Sequence, residues 1–251
     1  MRLVDTVRQA WHDDTTVPVL PPGADPASAA GNGGSAVLSL RRSIGALALA
    51  LPLLITVVDL FLPTVTWHVR GSLSAYYYGG SRELFTGGLA ATGALLVAFK
   101  ALDRRLEFWL TFAAGVLAVF VAFFPTTSCD GCGASTPLQS AIGADIVRDI
   151  HYASAFTMIG LLAATCLLWA ILERHTGVGS ERYRWLHIAS AAVILVAVMF
   201  GLVMVLTSPI FDQELLVVEW VSVWAFAMSW LFIGPAYKAR EAARAEVAAE
   251  H

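Results

Sequence analysis

Residues 43–65 read SIGALALALPLLITVVDLFLPTV, and this stretch decides the fold. Its single ionisable side chain is Asp59, and the pair Arg41-Arg42 precedes it directly. At a rise of about 1.5 Å per residue, some twenty apolar residues cross a hydrocarbon core of roughly 30 Å. Lipid offers the backbone no hydrogen bonds, so a helix is the open-ended way to span it. Five more runs of the same kind follow, at 82–102, 106–126, 148–172, 184–207 and 214–234. Only 14% of the chain is charged, against about a quarter in soluble domains, and its mean hydropathy is +0.68. The strict alternation of a transmembrane β-barrel is missing. The predicted fold is all-α, a polytopic transmembrane bundle of six helices over residues 41–235.

Outward from these runs, the basic residues orient the bundle. Arg2, Arg8, Arg41, Arg42, Lys100, Arg104, Arg105, Arg174, Arg182, Arg184, Lys238, Arg240 and Arg244 all fall on one side, 13 of the 16 Lys and Arg. Only Arg70, Arg82 and Arg148 fall on the other. The richer side should face the cytoplasm, with both termini inside the cytoplasmic (plasma) membrane. Residues 1–40 contain no apolar signal-peptide core and read as a largely disordered tail, rich in Pro, Gly, Ala and Ser. Within it Leu3, Val4, Val7 and Trp11 share one face of a short amphipathic helix, either fraying or lying on the membrane surface. Residues 236–251 read as an Ala-rich cytoplasmic helical tail. The second run carries Gly87, Gly88, Ala90, Ala91, Gly93 and Ala94, which predicts a helix central to the bundle, because small residues let backbones approach.

The outer side holds eight acids, Asp59, Glu83, Asp130, Asp145, Asp149, Asp212, Glu214 and Glu219, against three arginines. Ionisable groups inside a span are costly and mark functional sites by default. Counted along helices, Asp59 lies about 26 Å from Arg42, Arg82 about 27 Å from Lys100, Glu219 about 29 Å from Lys238 and His151 roughly 35 Å from Arg174. Four helices thus bring a titratable group to one outer layer, and Tyr76, Tyr77 and Tyr78 sit just above it beside Ser74. Asp59 needs a partner, with Arg82 first and His151 second. Glu219, Ser222, Phe226 and Ser229 share one helical face, so a polar stripe runs inward from the carboxylate. The tyrosines also fit an interfacial aromatic belt, and an Asp59–Arg82 pair also fits a structural role. His187 reads as a side chain snorkelling at the cytoplasmic end of its span. No second charged layer is expected in the cytoplasmic half.

Cys129 and Cys132 lie in an outer loop and are disulfide candidates, while Cys166 reads as packing. No Walker A, G-x-S-x-G or H-E-x-x-H motif occurs, and a net charge of −3 gives no case for nucleic acid. No metal site and no cofactor are predicted.

The segments SLSAYYY (72–78), SRELF (81–85), AFFPT (122–126), HYASA (151–155) and EWVSVWAFAMSW (219–230) together resemble uncharacterised bacterial multi-span families of the domain-of-unknown-function kind. That resemblance implies a membrane bundle over about residues 40–235. More remotely, a Ser-rich turn, an acid and a histidine resemble the CREST superfamily of alkaline ceramidases and progestin-receptor-like proteins. That family implies a zinc hydrolase built from Ser-x-x-x-His, Asp and His-x-x-x-His. Here Ser74 leads to Tyr78 instead of His, and no His-x-x-x-His occurs. No metal ligand carries over.

The function expected is a non-enzymatic one. An outward-facing polar pocket of Asp59, Ser74, Tyr76, Tyr77, Tyr78, Arg82, His151 and Glu219 takes a small polar molecule, a lipid headgroup or a cation. Three other readings stay open: a lipid hydrolase with His151 and Glu219 as acid–base residues, a small proton-coupled transporter, and an accessory subunit. The partners expected are membrane lipids, a small-molecule ligand, and another membrane protein or a second copy.

Overall fold

A computed structural model of the chain describes residues 32–62, 69–99, 105–126, 136–174, 181–207 and 214–234. Every regular element among them is helical: α1 (Asn32–Phe61), α2 (Arg82–Ala98), α3 (Arg105–Phe123), the short α4 (Pro137–Ile142), α5 (Ala144–Arg174), α6 (Glu181–Thr207) and α7 (Glu214–Leu231), with a 3-10 turn at Ser74–Tyr78 between α1 and α2. Four stretches are long and apolar enough to cross a membrane, Val37–Phe61, Leu106–Phe123, Ala144–Arg174 and Glu181–Met204. The chain is that of a membrane-embedded protein. The outward face of α6 shows why: Val196, Met199, Val203 and Leu206, three or four residues apart, are all at least half exposed. In water such a stripe is a liability; against acyl chains it is an ordinary surface.

The six longer helices form a closed ring. α1 packs on α2, α2 on α3, α3 on α5, α5 on α6, α6 on α7, and α7 back on α1. Short α4 packs on α5, and α5 touches α7 across the ring. Chain direction alternates around it, so residues from distant parts of the sequence meet in two end layers. One layer contains Asp59, the other Arg41.

Three expectations change. First, α1 begins at Asn32, inside the stretch read as tail, because Val37, Leu38 and Leu40 pack against the core. Second, α2 is one member of the ring and not its centre. Its small residues serve two contacts: Gly88 lies against the Leu51 side chain of α1, and on the α3 side a Cβ on Gly93 would lie 2.7 Å from the Gly115 carbonyl, and one on Gly115 2.6 Å from the Gly93 carbonyl. The α2–α3 crossing therefore depends on two facing glycines. Third, the outer segment between the third and fourth apolar runs, read as a loop, contains α4, which starts at a capping box. The Thr136 hydroxyl accepts the Gln139 N–H, and the Gln139 side chain accepts the Thr136 N–H. Cys129, Cys132 and the tails 1–31 and 235–251 lie outside the described residues.

The Arg41 end does hold a second charged layer. Arg41, Glu107, Glu173 and His187 are all buried there, from α1, α3, α5 and α6. Arg41 donates from Nε to the Trp230 carbonyl (3.2 Å) and from Nη2 to the Ser229 carbonyl (2.9 Å), satisfying the last turn of α7. Its guanidinium lies 3.6 Å from the Trp169 ring centroid. Trp169 Nε1 donates to Glu107 Oε1 (2.8 Å), and His187 Nδ1 meets Ser229 Oγ (2.7 Å). His187 is thus buried in this layer and does not snorkel. With Phe99 and Trp230, ring centroids 4.9 Å apart, the layer closes this end of the ring.

Candidate functional site

At the other end a loop between α1 and α2 lies over the ring mouth. Residues 69–81 form this loop, and Ser74, Tyr76 and Tyr77 are buried in it. Asp59 anchors it. Asp59 Oδ2 accepts from Arg70 Nε (2.9 Å), and Oδ1 accepts the Ser81 N–H (3.2 Å) at the start of α2. One carboxylate thus ties the end of α1, the start of the loop and the cap of α2. The backbone at Gly79 passes close enough that a Cβ would sit 2.5 Å from Asp59 Oδ1 and 2.7 Å from Arg70 Nε. Only glycine leaves room for the pair.

The tyrosines hold the loop down. The Arg70 N–H points to Tyr76 Oη (3.4 Å). Tyr77 packs among Ile55, Phe85 and Leu216, and its hydroxyl accepts from Arg82 Nη2 (2.9 Å). Tyr78 Oη donates to the Thr126 carbonyl (2.7 Å) and accepts from Gln139 Nε2 (2.9 Å). Burial pushes the Tyr78 phenol above its ordinary value, with the Gln139 hydrogen bond working against it. The start of α7 docks on the same loop through Leu216 N–H to the Gly71 carbonyl (2.8 Å).

Beneath the loop the ring holds a cavity of about 130 Å³. All six ring helices and the loop line it. Leu51 and Ile55 come from α1, Leu89 and Leu96 from α2, Val121 from α3, Leu162 from α5, Ile194 from α6 and Phe226 from α7. Its walls are mostly aliphatic, so the polar pocket expected is instead an apolar chamber with one polar end. Ser74, His151, Glu219 and Ser222 form that end. Glu219 Oε2 accepts the Leu73 N–H (2.5 Å), the only hydrogen bond to this carboxylate among the described residues. His151 Nδ1 lies 2.6 Å from the Phe124 carbonyl. A carbonyl only accepts, so Nδ1 carries the proton. Ser222 Oγ donates to the Val218 carbonyl, as a buried helical serine does.

Of the residues expected to converge, Ser74, His151 and Glu219 line the chamber. Asp59 and the three tyrosines do not; they build the loop that covers it. Arg82 is exposed and bonds Tyr77, and Asp59 takes Arg70 as its partner instead. Ser222 joins the chamber, and the stripe from Glu219 through Ser222 and Phe226 to Ser229 announces it in the sequence. Among the described residues, no three His, Cys, Asp or Glu side chains are arranged to hold a metal ion. Comparison with known families, with curated proteins and with solved structures finds no match for this chain.

Proposed function

We propose that this is a six-span cytoplasmic-membrane protein, both termini inside, whose chamber binds a small amphiphile. The ligand's apolar body lies against the aliphatic walls, and its amine or other hydrogen-bond donor meets Glu219. The observation that carries this reading is a carboxylate with one hydrogen bond at the end of an otherwise apolar cavity. A cavity of about 150 Å³ holds a benzene, so this chamber suits about six non-hydrogen atoms. The sealed Arg41 end favours a binding protein over a conducting pore.

Six spans rest on the ring. α2 and α7, at 17 and 18 residues, run about 26 and 27 Å. That is close to the hydrocarbon thickness. Each packs between two of the longer helices. The excess of Lys and Arg that the sequence assigns to the Arg41 side supports a cytoplasmic location for that side.

The test is thermal stability of the purified protein with n-pentylamine, n-pentanol and pentanoate. The amine is expected to raise Tm most and pentanoate least. Glu219→Gln should weaken amine binding about 10- to 100-fold, the range of a charge-assisted hydrogen bond. Equal shifts for amine and carboxylate, or none with any probe, would end this reading.

A further inference from the structure

A second, smaller cavity of about 50 Å³ adjoins the chamber. Both spaces are lined by the same four polar residues, Ser74, His151, Glu219 and Ser222. Ala155 and Ile159 of α5 also line both; beyond these the two spaces diverge. The larger space runs among α1, α2 and α3, none of which lines the smaller one. The smaller space runs between α5, α6 and α7, along Phe156, Gly201, Leu215 and Val218. The polar group therefore stands at a waist between two apolar spaces of unequal size.

We propose that the site takes a molecule whose polar group is internal: a secondary amine carrying one larger and one very small apolar arm. The ammonium sits at the waist against Glu219. The larger arm fills the chamber. The side space admits one or two carbons, since a single water already claims about 30 Å³. A primary amine leaves the side space unused. A second arm longer than ethyl meets Gly201 and its neighbours. This inference rests on the amphiphile reading and narrows it to a substitution pattern at nitrogen.

Gly201 controls the small space. A Cβ there would lie 3.5 Å from Leu215 and 3.8 Å from Phe156 and Val218, ordinary contact distances that leave the backbone undisturbed. Larger side chains at this position fill the void.

The experiment measures affinity, by thermal shift and by calorimetry, for n-pentylamine and its N-methyl, N-ethyl and N-butyl derivatives. Affinity is expected to rise about fourfold per carbon up to N-ethyl, the gain of burying each methylene, and to fall at N-butyl. In Gly201→Leu the ratio of N-ethyl to primary amine affinity should drop to about 1, and in the milder Gly201→Ala it should fall part of the way. A steady rise through N-butyl marks unspecific partition and overturns the inference, as does a ratio unchanged in both variants. Binding of pentylamine with no gain on N-alkylation overturns it while leaving the amphiphile reading intact. No binding by any of the four overturns both.

Discussion

Asp59 and Arg70 meet at 2.9 Å, the carboxylate buried and the guanidinium mostly so, and removing either leaves the other charge without its partner. Asp59→Ala or Arg70→Ala is expected to destabilise the fold by about 3–5 kcal/mol. Exposed Arg82→Ala should lose under about 1 kcal/mol, and reversible unfolding in mixed micelles checks the contrast. Equal losses at Arg70 and Arg82 would refute the pairing. The sequence points to Asp59 as a residue that needs a partner but to the wrong arginine. Counting residues gives height along a helix, and Arg70 lies in a loop whose return path no helix count describes. Tyr78 gives a pH signature. Its phenol is raised above the ordinary 10.0 by burial, so the folded chain holds that proton more tightly than the unfolded chain. Stability from this group is complete below pH 10 and declines as pH rises through the folded value. In Tyr78→Phe the alkaline decline of Tm should be shallower than in the parent protein, with a lower Tm at neutral pH from the lost hydrogen bonds to Thr126 and Gln139. An identical alkaline slope would contradict the assignment.

At the scale of elements, the crossing of α2 and α3 is set by Gly93 and Gly115. In lipid, apolar burial alone does not hold helices together; close packing does. Gly93→Leu or Gly115→Leu must push the two helices apart and should abolish recovery of folded protein. Gly87→Leu, where a Cβ meets nothing within 4 Å, should be tolerated. Size-exclusion profiles of the three variants decide it, and a normal profile for both Gly93→Leu and Gly115→Leu would contradict this account. Long apolar runs were legible as helices, because their length and missing charge leave few alternatives. The bounds of α1 were less so. Its first turns are built from Gly, Ser and Ala, which carry no apolar signal of their own, and Val37, Leu38 and Leu40 pack against the core just after them. The burial of Arg41, Glu107 and His187 was also hidden. Each lies near a helix end in sequence, where a side chain reaches solvent or turns inward depending on its azimuth, and azimuth is fixed only when the ring closes.

At the scale of the whole molecule, two end layers bracket an apolar interior. The Arg41 layer is packed with Phe99, Trp169 and Trp230, while the Asp59 end is covered by a loop whose Leu73 N–H rests on Glu219. Glu219 and His151 stood out in the sequence as titratable groups on apolar helices, and they do line one space. The space itself was not legible, because a void is a property of how helices fit and no single residue encodes it. The most direct test is a structure of the complex with 3-(methylthio)propylamine, which matches pentylamine in size and carries a sulfur locatable by anomalous scattering. The account predicts the nitrogen within about 3 Å of the Glu219 carboxylate, with the sulfur between Leu96, Leu162 and Phe226. Sulfur on the lipid-facing surface of the bundle, or a nitrogen remote from Glu219, would contradict it.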